Sequence, residues 1–208
     1  MISAVITADI VASTSLSRIQ LKILMKNLSM ILAPYQHEFF RGDSFQVYIK
    51  SPGEALLLLL QMRTAAMKLA QDSSMPLTDV RACLGIGAVK PPVKTLKTAS
   101  DEAFVLSGRA FDKMSAEQRL GITGNEKNIE VNLGLKLIAG FIDYVFQRLT
   151  SKQAAVVFEL LMGRTQVEAA RRLKKSQATV HKHAQSAGWP EIEKLLPDYQ
   201  TLISLLVL

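Results

Sequence analysis

The chain has 208 residues, 49% of them hydrophobic, and carries 25 Lys and Arg against 18 Asp and Glu, a formal charge of +7. That length allows one full domain plus a small second one, with a real core, and the basic balance admits a polyanionic partner such as nucleic acid. The lone cysteine, Cys83, excludes a disulfide within the chain and fits a reducing cytoplasm, and the opening MISAVITADI lacks the basic and long apolar regions of a signal peptide.

Ile2 to Asp9 is small and β-branched, which predicts a central strand ending on a carboxylate. From Leu16 to Leu32 apolar residues recur at helical spacing, and Pro34 stops that helix. FFRGDSFQVYI, residues 39 to 49, reads as two short strands turning at Gly42. Ser51-Pro52 opens a helix reaching about Ala70; its run Ala55 to Leu60 is broken by Glu54, Gln61 and Arg63, so a buried helix is expected and no membrane span.

Asp79 to Val89 predicts another strand, with Cys83 a buried thiol inside it, and Ser100 to Phe111 a short helix capped by Ser100. Gly121 to Asn128 is polar and turn-rich and marks a domain edge. Ile129 to Leu149 reads as a long apolar helix that links two domains or pairs with its own copy. The remainder is helical over 151 to 162, 165 to 173 and 176 to 187, and the apolar terminus TLISLLVL must pack on something. The expected layout is α+β: a mixed sheet covered by helices over 1–128, a linking helix over 129–149 and an all-α unit over 150–208.

GRTQVEAARRLKKSQATVHKH, residues 163 to 183, holds six basic side chains against one acid, Glu168. Two short helices joined near Ser176 would bury Val180, Ala184 and Ala187 on one side and present Ala178, His181, Lys182 and Gln185 on the other. Gln177 sits where it could reach base edges, while Arg171, Arg172, Lys174 and Lys175 are placed for phosphates. A small helical bundle with a solvated basic face is the plainer alternative.

The stretch from Leu149 to His183 resembles the helix-turn-helix of LuxR-type regulators and of region 4 of sigma factors, through Leu149-Thr150, Gly163, Thr165, Glu168, Ala170, Ser176, Thr179 and Val180. The resemblance implies binding to double-stranded DNA, with Ser176, Gln177, Thr179, His181 and Lys182 at the interface.

Asp9 and Asp43 end neighbouring predicted strands, where two carboxylates can share a divalent cation; Asp after Gly is also what a plain tight turn prefers. Residues 1 to 111 resemble class III nucleotide cyclase domains in three ordered motifs, Ala8-Asp9-Ile10-Val11-Ala12-Ser13-Thr14, Arg41-Gly42-Asp43-Ser44-Phe45 and Leu84-Gly85-Ile86-Gly87. A fourth, FVLSGRAF, is a decayed copy of that family's next helix. The resemblance implies a palm-type, ferredoxin-like sheet, Asp9 and Asp43 as metal ligands, Mg²⁺ with a nucleotide as cofactor or effector, and Arg109 as a nucleotide contact. Phe39 and Val105 stand where the family has its catalytic lysine and asparagine, so no catalytic residue is assigned and full cyclase activity is not expected.

Together the two halves lead to a bacterial, cytoplasmic, DNA-binding regulator acting as a homodimer, in a layout that resembles SatD-type bacterial proteins. A divergent Mg²⁺-dependent nucleotide cyclase or nucleotidyl transferase is the alternative.

Overall fold

The computed structural model describes every residue except Arg41, residues 71–74, Glu126 and Leu208, together with the side chain of Val207. Arg41 of the hairpin motif and the last residue of the apolar terminus therefore lie outside the described residues.

The fold is α+β. Strands β1 (Ile2–Ile10), β2 (Gln36–Phe40), β3 (Ser44–Ile49), β4 (Val80–Ala88) and β5 (Leu120–Thr123) form one sheet in the order β2-β3-β1-β4-β5. β1 lies at its centre, antiparallel to both β3 and β4, and β5 adds parallel to β4. Helices α1 (Arg18–Leu32) and α2 (Ala55–Met67) complete a β-α-β-β-α-β ferredoxin-like unit. The parallel β4–β5 pair needs a crossover, supplied by α3 (Glu102–Asp112).

Alternation along β1 sorts the two sheet faces. Ala4, Ile6, Ala8 and Ile10 enter the main core under α1 and α2, whereas Val5 joins Ala103 and Phe104 in a smaller cluster under α3. α3 lies so close to β4 that a Cβ on Gly85 would come within 2.4 Å of the Ser107 backbone nitrogen. α2 is apolar almost all round because the sheet covers one side and α5 (Ser151–Leu161) the other.

Arg63 is the polar exception on α2. Fully buried, it donates to both carboxylate oxygens of Asp79 at 3.1 and 2.6 Å and to Asp143 at 3.1 Å. Burial would lower its pKa, but the two carboxylates hold it above the ordinary value, so it stays charged.

α4 (Ile129–Phe146) packs on β5 and on α8 (Trp189–Val207), and α6 (Gln166–Leu173) and α7 (Gln177–Ser186) stand on α5. Val156, Leu160, Ala169, Ala170, Val180 and Ala184 form a second small core there. Tyr199 on α8 is fully buried and donates its hydroxyl to the Pro52 carbonyl at 2.9 Å. The main core thus runs from Ala4 to Ile203, across the expected edge at residue 128.

Two local expectations are corrected. Leu120–Thr123, expected in or beside a turn-rich edge, is strand β5, because the exposed edge of β4 pairs with it. The cap of α3 is Asp101 rather than Ser100. Among the described residues no helix is long and apolar enough to cross a membrane.

Candidate nucleic-acid interface and acidic pair

The start of each C-terminal helix is specified locally. Thr150 and Gln153 close a capping box on α5, and Thr165 and Glu168 close another on α6. The two hydrogen bonds from Thr165 hold the Glu168 carboxyl below its usual range, so its charge serves the cap. α6 ends at Lys174, whose left-handed φ of 52° reverses the chain, and the Ser176 hydroxyl accepts from the Thr179 amide at 3.1 Å to start α7.

α7 buries Val180 and Ala184 and exposes Gln177, Ala178, His181, Lys182 and Gln185. Arg171, Lys174 and Lys175 are exposed beside it. These side chains share one surface because the α5–α7 core draws the small residues Ala169, Ala170 and Ala184 inward.

Four residues expected on this surface also hold it together. Arg172 donates through Nε to Glu159 at 2.8 Å, and Arg164 donates to the same carboxylate oxygen at 2.6 Å. Glu159 is buried, so Arg172 is partly committed to neutralising it. Thr179 shares a 2.8 Å hydroxyl contact with Ser176, and His181 Nδ1 lies 3.2 Å from Gln166 Oε1. Glu159 is a residue that sequence reasoning missed; its signal was a lone acid in the apolar run AAVVFELL.

At the sheet end, Asp9 lies in register with Ser44 on β3 and Arg81 on β4. Asp43 sits beside Gly42, which turns the hairpin with φ +90°. The Ile10 amide donates to the Asp43 carbonyl at 3.0 Å, and the Ser13 hydroxyl donates to Asp43 Oδ2 at 2.9 Å. The two aspartates are therefore neighbours, and the charge of Asp43 acts on Asp9.

Asp9 is incompletely satisfied. Its Oδ2 is 3.8 Å from Arg81, while Oδ1 is buried without a hydrogen-bond partner. Burial raises its pKa above the ordinary value, Arg81 opposes that, Asp43 adds to it, and Arg119 opposes it. Arg81 is drawn elsewhere as well, donating to the Met114 carbonyl at 2.9 Å with its guanidinium over the Phe111 ring.

The cations acting on Asp9 are thus Arg81 and Arg119, which the sequence did not single out. Arg109 is exposed on α3, two residues beyond the sheet-facing Ser107 and hence on the opposite side of the helix. Phe39 packs its ring 5.0 Å from that of Phe45, and Val105 is half-buried on α3. On the Asp9 face of the sheet, a cavity of about 500 Å³ has Thr7, Ser44 and Gln46 as its polar lining and Phe40, Phe111 and Lys97 around them.

Among the described residues no group of three or more His, Cys, Asp or Glu gathers to hold a metal by itself. Mg²⁺ needs only one or two carboxylates when phosphate oxygens and water complete the shell, and the unpartnered Oδ1 of Asp9 beside Asp43 fits that donor set. Comparison with known protein families and with curated proteins finds no match.

Proposed function

We propose that the chain is a DNA-binding transcriptional regulator. Its helix-turn-helix, α5 to α7, reads duplex DNA, and its ferredoxin-like half, a degenerate cyclase-like domain, senses a nucleotide or mediates assembly. The observation that carries this reading is the one-sided surface of α6 and α7, where Arg171, Lys174, Lys175, Gln177, His181 and Lys182 face outward over an apolar side. Backbone-directed cations around a short polar helix face suit a major groove, and two copies would set two such helices about 34 Å apart. A bacterial cytoplasm is the setting that reading implies, and it suits the buried Cys83 thiol, whose pKa burial pushes up to about 12.

The test is fluorescence anisotropy of labelled random duplexes titrated with the full chain at low salt. Binding that weakens steeply with salt supports the assignment; absence of binding sinks it and leaves α6 and α7 as a protein-binding or purely structural unit.

A second reading has its own observation, the unpartnered Asp9 oxygen beside Asp43 and the neighbouring cavity. In the sensing role, Asp9 and Asp43 would hold Mg²⁺ and the ion would neutralise phosphate charge, while Phe40 and Phe111 give the cavity beside them an apolar lining for a base. Phe39 and Val105 argue against turnover. Incubation with Mg²⁺ or Mn²⁺ and each nucleoside triphosphate separates sensor from enzyme: product formation lost in Asp43→Ala would establish the enzyme, and binding without product the sensor.

A further inference from the structure

α4 carries an apolar face that the described residues leave largely bare, Arg148 alone lying over the Tyr144 ring. Val131, Leu135, Ala139, Ile142 and Phe146 are buried on one side, while Ile129, Leu133, Leu137, Phe141 and Tyr144 are 73%, 59%, 67%, 43% and 59% exposed. Their spacing of four, four, four and three residues draws one stripe along the helix, about 22 Å long. α1 also exposes Ile19, Ile23 and Met30, but Lys22 and Lys26 interrupt them.

Gly140 gives an independent sign. It lies in the helix interior, on the stripe side, and a Cβ built on it would meet nothing within 4 Å. An exposed glycine there costs about 1 kcal/mol relative to alanine, and no contact among the described residues offsets it. Beside it, Met114, Ile122, Lys136 and Ala139 help line a hollow of about 330 Å³. A missing side chain next to a hollow lets another helix come close and seat a large side chain.

The size of the face selects the occupant. Five large, half-exposed side chains present about 600 Å² per copy, at the top of what monomers leave bare, and two copies would hide about 1,200 Å², the lower bound of specific interfaces. A membrane surface is the poorer fit, because interfacial helices hold a basic flank free for headgroups, whereas here Glu130 stands within the stripe beside Lys136 and Arg148 is folded 3.5 Å over the Tyr144 ring. Those opposite charges also spare two copies mutual repulsion.

We infer that α4 is the interface between two copies of this chain, with the two-fold axis and the closest approach beside Leu137, the middle of the stripe, and with Gly140, one turn on, leaving room for the partner helix. An isologous contact centred on the patch brings Leu137 against its own counterpart whichever way the helices run. The inference rests on the assembly part of the proposed function and is independent of DNA binding.

The experiment is sedimentation velocity on the full chain without DNA, at roughly 1 to 100 μM. The wild type is expected to be dimeric, Leu133→Asp/Leu137→Asp to dissociate at least about 100-fold more readily, and Gly140→Leu to weaken the dimer without lowering its monomer's melting temperature. Leu137→Cys, in a chain whose other thiol is buried, should form a disulfide-linked dimer under mild oxidation. A wild type that stays monomeric at the highest concentration, with or without flotation on anionic vesicles, overturns both the interface and the assembly. A dimer untouched by the stripe substitutions, or no cross-link in folded Leu137→Cys, overturns the α4 interface alone. Either result leaves the DNA titration to be judged separately.

Discussion

Lys175→Ala removes one exposed cation from the turn between α6 and α7, and its effect on duplex binding can be sized. Arg171, Lys174, Lys175 and Lys182 are exposed, whereas Arg172 is tied through Nε to buried Glu159. If each of the four free cations meets one phosphate, a pair of chains makes about eight contacts, and log K should fall against log salt with a slope of about −7. Affinity would then drop roughly 10⁴-fold between about 50 and 200 mM salt. Lys175→Ala deletes one contact per chain and should flatten the slope by about two, with equal loss on every sequence. Arg172→Ala is the contrast: it strips a partner from Glu159, so it should lower the melting temperature more and the slope less. Anisotropy titrations at four salt concentrations, beside thermal melts, measure both. A slope unmoved by Lys175→Ala, or steeply flattened by Arg172→Ala alone, would refute the assignment of these cations.

Other consequences are equally direct. Gln177→Ala should change the ranking of DNA sequences selected from a random pool while leaving the salt slope unchanged, since Gln177 is uncharged and exposed at the start of α7. Arg63→Met strands the Asp79 and Asp143 carboxylates and should cost about 3–5 kcal/mol in urea unfolding followed by Trp189 fluorescence; a loss under about 1 kcal/mol would show that the buried network holds little together. Lys68→Met tests a pH-dependent strain: burial pulls the Lys68 ammonium from 10.5 down to about 8, although Glu159 and the Phe158 ring face favour its charge. The unfolded chain binds this proton more tightly, so wild-type stability should rise as pH climbs from about 8 to 10.5. Lys68→Met lacks that rise, and should be about 1–2 kcal/mol more stable at neutral pH with most of the gain gone near pH 10. An equal gain at both pH values would contradict it.

Much of the fold was legible because short patterns carry it. Alternating apolar residues located β3, and an apolar run closed by Lys90-Pro91-Pro92 located β4, within a residue or two of their observed ends, and Ser176 announced the start of α7 by its capping chemistry. The inward face of α7, Val180, Ala184 and Ala187, followed from helical spacing alone. β5 escaped because four residues, Gly121 among them and Gly124 just after, carry no periodicity; β4, more than thirty residues earlier, makes them a strand. The N-cap of α3 shifted by one residue, since Ser100 and Asp101 both suit a helix start and packing decides between them.

Sequence by itself determined the α+β class, the order of the elements from β1 to α3 and which side of α7 is apolar, because backbone preference and amphipathic spacing act over a few neighbouring residues. Tertiary structure alone decided which charges meet. Sheet register set Arg81 against Asp9 and left Arg109 outside, packing of α5 on α6 tied Arg172 to Glu159, and α2 carried Arg63 between Asp79 and Asp143. It also decided that the apolar helix read over 129 to 149 buries only one side, leaving the Leu137 stripe bare. Long-range pairing depends on how distant segments dock, and no local pattern encodes a distance between residues that are dozens of positions apart.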